Sequence, residues 1–454
     1  MRRLTIYVSR EVRFYIMGLS NKSKNTHEND QFALTRRIYP FESMFEYLCT
    51  MLAGGAFLAK LSMTLGVRDS ITALISSIAY LVCVVQLFSG ELAKHTPIKT
   101  WLIPVTIFTR VCAMGMFILP FLNINKFADV ILLILVLAFQ SIHTLLAPIK
   151  QTMFLMTVPE NERTGYLARH NRVSAIAGIP LVVGGGFFID KMAEAGKLSL
   201  AFLIIAIAIL FFSLCNIVIL LISKEAPIKK PDSKNMLLDF KKLFANPKFR
   251  ALFATETVFG IGVGALSPFI ATYVQREQGF SLMLANLYTM LQCVFQIIAL
   301  SMLSKFRHRI KPTVLHTCFF VGSIITNAIF FVMNNDTALF FHFIYVLISA
   351  INSSAHLGFT SLVYHVVGEE ERTTAVSALT LTKGVFCFIT TLCISPFFDY
   401  MQTNGVTLFG KPIYAQRILA IVATVIMIIA LVVWLANRKK FTDMDEGISF
   451  KKTT

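Results

Sequence analysis

SKEAPIKKPDSKNMLLDFKKLFANPKF, residues 223–249, is the longest polar stretch inside the chain. Its Lys, Pro and Ser content marks a linker. What flanks it decides the fold. A membrane-crossing helix needs about 20 mostly apolar residues. Six such runs precede the linker, near 42–66, 70–92, 100–122, 127–157, 172–193 and 198–222. Six follow it, near 250–275, 281–303, 312–333, 336–366, 373–397 and 413–436. The linker therefore divides twelve predicted spans equally, and the fold class is an all-α membrane protein.

Composition agrees. Of 454 residues, 56% are hydrophobic and 15% charged, against about 25% charged in soluble domains. The mean hydropathy is +0.68. The net charge of +17 would suit nucleic acid, but the basic residues fall between apolar runs, on alternate connections. One set of connections and tails carries 31 Lys and Arg, the other 7. That asymmetry predicts a membrane protein with both termini and the linker in the cytoplasm and no nucleic-acid partner, and the membrane expected is the cell's plasma or inner membrane. The predicted units are a cytoplasmic tail (1–41), an N-terminal bundle (42–222), the linker (223–249), a C-terminal bundle (250–436) and a second tail (437–454). Residues 1–16 carry Arg2, Arg3, Arg10 and Arg13 and suit a basic interfacial helix, an unstructured tail, or an over-extended start with Met17 or Met44 as initiator.

The eight cysteines lie in apolar stretches without a CxxC pair, which predicts core residues rather than a metal site or disulfide framework. Walker, GxSxG and HExxH motifs are missing, so ATP-driven transport by this chain alone and standard hydrolase chemistry lack support, and no cofactor is expected. The glycine clusters Gly54-Gly55, Gly184 to Gly186 and Gly260, Gly262, Gly264 sit in apolar spans, where they permit close helix packing or bending. Pro148, Pro180 and Pro268 should kink their helices.

The halves echo each other. Residues 158–164 read VPENERT and residues 367–373 read VGEEERT, an offset of 209. Glu46 precedes Gly54 as Glu256 precedes Gly264, an offset of 210. Leu92-Ala93-Lys94 matches Leu303-Ser304-Lys305 at 211. Three echoes in register predict two six-helix halves of like orientation.

With six plus six spans and a basic linker, the chain resembles the major facilitator superfamily. Gly90, Leu92, Ala93 and Lys99 match the family pattern between helices 2 and 3, while Lys94 replaces its acid and Pro97 its second glycine. The Glu-Arg-Thr segments resemble the family's turns before helices 5 and 11. The resemblance implies two parallel bundles rocking about a midplane site, with helices 1, 4, 7 and 10 lining the cavity.

Polar residues at membrane depth are expensive and mark functional candidates. Gln140, His143 and Gln151 share a face of helix 4, and Ser349, Asn352, His356 and Thr360 share one of helix 10. They suit either a solute-facing wall or interhelical hydrogen bonds, and histidine is the side chain that changes charge near neutral pH. Gln292 and Gln296 form a polar face on helix 8. Lys383 is the foremost candidate for recognising substrate charge, with Glu256 its nearest carboxylate in depth. Arg110 reads as structural. Glu46, Gly90, Arg163 and Arg372 are the candidate cytoplasmic gate; Glu46 suits a gate or proton site or, alternatively, an interfacial carboxylate paired with an arginine such as Arg163 or Arg372. The expected function is secondary active transport of a small solute, driven by protons or Na+. Rivals are a transporter-like receptor that does not cycle and a membrane-embedded enzyme acting on lipid.

Overall fold

The computed structural model describes residues 31–92, 97–122, 127–159, 162–225, 236–306, 310–368, 372–408 and 410–441. The N-terminal segment 1–30, Lys94, Glu160, Glu369 to Glu371 and most of the C-terminal tail lie outside the described residues. Twelve helices among the described residues are long and apolar enough to cross a membrane. In chain order they are α1 (Ala33–Thr64), α2 (Asp69–Gln86), α3 (Ile98–Phe121), α4 (Ala128–Leu155), α5 (His170–Glu194) and α6 (Leu198–Ile222). The second six are α7 (Pro247–Glu277), α8 (Leu282–Leu303), α9 (Pro312–Val332), α10 (Asn335–Ala355), α11 (Thr374–Asn404) and α12 (Ala415–Phe441). Below, the face carrying the linker is the linker face and the opposite one the distal face.

Helix α6 shows why these segments belong in lipid. Its Ile207, Phe211, Leu214, Val218 and Leu221 are exposed at helical spacing, while Ala201, Ile205, Ile209 and Asn216 are buried on the other side. An apolar outer face and a packed inner one suit a bilayer, where backbone polar groups are satisfied within the helix.

Two predicted boundaries move. The first helix begins at Ala33, so residues 33–41 are helical rather than tail. Pro40 did not end it, because a helix interior in a packed bundle tolerates the lost bond. The linker is not structureless throughout, since Met236–Ala245 is a helix. Asn246 then caps α7, its Oδ1 accepting the Lys248 amide at 2.9 Å.

Three helices break, two of them at glycine or proline. Helix α1 is interrupted at Gly54, and Gly55 takes φ +53° with nothing within 4 Å of a notional Cβ, so conformation rather than crowding selects glycine there. Helix α7 tightens into a 3₁₀ turn at Ser267–Phe269, around Pro268. Helix α10 stops at Ala355 and resumes over Leu357–Val366. The segment before α12 is a small hairpin, β1 (Val406–Leu408) against β2 (Lys411–Ile413), with Val406 opposite Ile413.

Each half packs around its own core, one centred on Leu52, Phe117, Phe139 and Phe202, the other on Phe249, Phe320, Leu379 and Trp434. The halves meet along two seams, α2 with α11 and α5 with α8. Backbones touch closely at several places. A Cβ on Gly260 would lie 2.6 Å from the Lys383 carbonyl oxygen, one on Gly264 would strike the Cys387 carbonyl, and one on Gly384 would strike the Tyr80 carbonyl across the α2–α11 seam. Overpacking typically costs about 1–3 kcal/mol, and rigid backbone cannot step aside. Gly264→Val is therefore expected to lower the melting temperature of purified protein, whereas Gly184→Val, at a site with nothing within 4 Å, is expected to leave it nearly unchanged.

At the distal face the halves are tied by polar contacts. The buried Asp69 of α2 accepts Gln402 of α11 at 2.8 Å and lies 2.8 Å from Arg276 of α7. The Arg276 contact is an ion pair by distance, with its N–H off the line to Oδ1. Asp190, ending α5, accepts the amides of Leu282 and Met283 at 3.0 and 2.8 Å and so caps α8 across the seam. Asn286 donates to the Val182 carbonyl at 2.9 Å.

Candidate functional site

The densest charge cluster is in the N-terminal half. Glu42 and Glu46 stand four apart on α1 and so share a face. With a rise of about 1.5 Å per residue, Glu46 lies about 20 Å from the start of α1. Its Oε2 meets Arg110 Nη2 of α3 and Lys150 Nζ of α4, each at 2.6 Å, and its Oε1 meets His143 Nδ1 at 3.1 Å. Glu42 is fully buried, 3.9 Å from Lys150. Asn216 of α6 donates to its carboxylate at 3.1 Å and to its backbone carbonyl at 2.9 Å. Four helices thus converge on two carboxylates balanced by one guanidinium and one ammonium. Charges this deep persist because they are paired, and removing one partner of a buried pair typically costs about 3–5 kcal/mol.

Glu46 sits deeper than a pairing with Arg163 or Arg372 at the linker face would require. It does not pair with Arg163 or Arg372 but with Arg110, Lys150 and His143, because nine residues of helix precede position 42 and carry Glu46 into the bundle. Arg163 donates its Nε to the Val158 carbonyl at 3.2 Å, bracing the turn before α5, and the Arg372 guanidinium sits 5.5 Å from the Tyr364 ring. Gly90 belongs to a short helix, Ser89–Leu92. Arg110 does bind a carboxylate, as expected of a structural residue, but that carboxylate is the centre of the cluster.

The C-terminal half is built differently. Glu256 is buried at 1% exposure, and its Oε1 has no hydrogen-bond partner among the described residues. Lys383 is half-buried, its ammonium 5.9 Å from the Phe259 ring. It lies in electrostatic range of Glu256 but forms no ion pair with it. His356 stacks on Phe359 at 5.2 Å, at the break of α10. Asn352 donates to Ser323 of α9 at 2.9 Å, and Gln292 donates to Ser349 at 2.8 Å. Of the α10 stripe, Ser349 and Asn352 are therefore spent on neighbouring helices, with Asn352 turned to α9 rather than into the cavity. Gln296 offers its backbone carbonyl to Ser354.

Between the halves lies a cavity of about 340 Å³. Its walls come from α1, α2 and α4 on one side and α7, α8 and α10 on the other. The breaks at Gly54-Gly55 and Ser267-Pro268 both border it. Gln140 and Gln292 line it, with Gln275, His342 and Tyr345, three residues that sequence reasoning passed over. The helix 4 stripe is thus split, Gln140 facing the cavity and His143 the ion cluster. Sequence reasoning also missed Glu42 and Lys150. Their signal was available: Glu42 and Glu46 are one turn apart, and His143 and Lys150 are two turns apart on one face of α4.

The family model of the Major Facilitator Superfamily matches residues 43–391. No curated protein sequence matches the chain. Among solved structures, the nucleoside transporter NupG, in a mutant form, superposes with a TM-score of 0.70 at 12% identity, covering 88% of this chain and 99% of its own. A bacterial homolog of the human lysosomal transporter Spinster, inward-facing and unoccupied, gives 0.62 at 14% identity, covering 93% and 99%. A D-xylose–proton symporter gives 0.58 at 14% identity, covering 87% and 96%. At such identities the likeness is one of fold. With twelve membrane helices and a family match across most of its length, the chain belongs to the Major Facilitator Superfamily.

Proposed function

We propose that the protein is a secondary active transporter that moves a small solute by alternating access, coupled to protons, with linker and termini on the cytoplasmic side of the plasma membrane. The observation that carries the reading is Glu46, a deep carboxylate gripped at once by Arg110, His143 and Lys150 from two other helices. Once the pairs with Arg110 and Lys150 part, Glu46 can take a proton, and neutral Glu46 no longer holds α1, α3 and α4 together at that depth. A proton can thereby change how the helices beside the cavity pack, which coupled transport requires. The structural neighbours include a proton-driven symporter, which supports this choice of ion. The basic balance of the connections supports the orientation. In that orientation the distal ties of Asp69, Asp190 and Asn286 hold the halves together on the outer side.

The test is flux in proteoliposomes carrying a pH-sensitive dye, screened against nucleosides, monosaccharides, peptides and amphipathic cations. One solute class is expected to exchange across the membrane and move protons with it. Glu46→Gln is expected to retain solute binding and lose proton-driven accumulation. Binding without counterflow by any solute would replace this reading with that of a receptor.

A further inference from the structure

Charge is distributed unevenly along the pathway. Glu42, Glu46, Arg110 and Lys150 lie on the linker side of the α1 break, as do Glu256 and Lys383 relative to the α7 break and the seam. The cavity lies beyond them, at the breaks themselves, and none of its lining residues is Asp, Glu, Lys or Arg. Its polar atoms are amides, hydroxyls, one imidazole and the backbone where α1 and α7 leave the helical ladder.

Several of these groups have hydrogen-bonding capacity left over. His342 is 6% exposed, and its Nδ1 has no partner among the described residues. Gln275 is 9% exposed; its amide nitrogen donates to the Ala56 carbonyl at 3.3 Å, but its Oε1 has no partner. Gln140 forms no hydrogen bond among the described residues. Buried polar atoms are normally satisfied, so unsatisfied ones around one cavity mark where a ligand's polar groups go. His342 is held edge-on by Tyr288 at 4.7 Å and Phe280 at 5.4 Å, which fixes its ring. Tyr345 stands beside it at 5.5 Å, giving that wall a flat apolar surface. The volume of about 340 Å³ is at the small end of the roughly 300–1,000 Å³ range of ligand pockets.

Building on the transport reading above, we propose that this cavity takes an uncharged, polar ring compound of nucleoside or monosaccharide size. Gln140, Gln275 and His342 recognise it by hydrogen bonds. A charged solute would enter without a counter-ion and lose its hydration, which is unfavourable in such a site. The ion clusters on the linker side then serve coupling, and Lys383 does not recognise substrate charge.

The experiment is ligand-dependent thermal stabilisation of the purified full chain, which needs no transport. The probes are uridine, adenosine, D-xylose and D-glucose, each set against a charged counterpart: uridine and adenosine monophosphate, glucuronate and glucosamine. At least one neutral compound is expected to raise the melting temperature while its charged counterpart does not. The nucleoside and sugar arms separate the two sources. Gln140→Leu and His342→Phe are each expected to weaken binding about tenfold, the scale of one lost buried hydrogen bond. Gln140 forms no hydrogen bond among the described residues, so its variant should melt unchanged without ligand. Preference for a charged compound, neutral binding untouched by both variants, or no neutral binding at millimolar concentration would overturn the assignment. Neutral binding without flux would instead overturn the transport reading and leave this one standing.

Discussion

Glu46→Gln lowers the stability of the purified protein by about 3–5 kcal/mol, the usual cost of stripping one partner from a buried ion cluster. The reason is the count of charges left behind. With Glu46 neutral, Arg110 and Lys150 face a single carboxylate, Glu42, which is 3.9 Å from Lys150. A second substitution separates stability from function. Lys150→Met on the Glu46→Gln background restores charge balance, and most of the lost stability is expected to return. Proton-driven accumulation is not, because the titrating group is gone. Denaturation midpoints of the single and double variants, with flux on the same preparations, give both numbers. If the double variant melts lower than either single one, the three residues do not share one charge balance.

The second large effect is expected at the distal ties. Asp69→Ala removes the ion pair with Arg276 and the bond from Gln402 together. Hydrogen bonds to charged groups contribute about 1.5–3 kcal/mol, enough to shift a two-state equilibrium by about ten- to a hundredfold. The distal face should therefore open more often. A cysteine placed at Val274, which is buried at the cavity wall, should react faster with a membrane-impermeant maleimide added from that side. Asp69 also begins α2, where an acidic residue stabilises the helix terminus, so a general weakening of α2 must be separated out. Arg276→Ala leaves that terminus untouched and should accelerate labelling in the same direction. Unchanged labelling in both variants would mean these contacts do not hold the face closed.

The span count was readable from hydropathy, because a helix in lipid must be apolar along a whole bilayer thickness and little else has that length. The two-half organisation was readable because duplicated turns keep their spacing. Pairing was not. Glu46 and Arg163 share a plausible depth in a linear sequence, but the helical residues ahead of position 42 carry Glu46 deeper, and the rotation of α1, set by packing against α5 and α6, aims it at Arg110 and His143. Asn352 looked like a cavity residue because it shares a face with Ser349 and His356, yet the packing of α9 takes that face. Gln275 was passed over because it stands at the end of α7, where periodicity carries little signal. His342 was legible, since it stands seven residues before Ser349 and fourteen before His356 on the same face of α10.

The glycine contacts of α7 have a mechanical consequence. Where Gly260 meets the Lys383 backbone and Gly264 meets that of Cys387, no side chain lies between the helices to deform, so the pair behaves as one stiff strut. That strut carries Glu256 on one member and Lys383 on the other, and it bears on the opposite half where Gly384 meets Tyr80. Any push felt by either ionisable group is delivered undamped to the fulcrum between the halves.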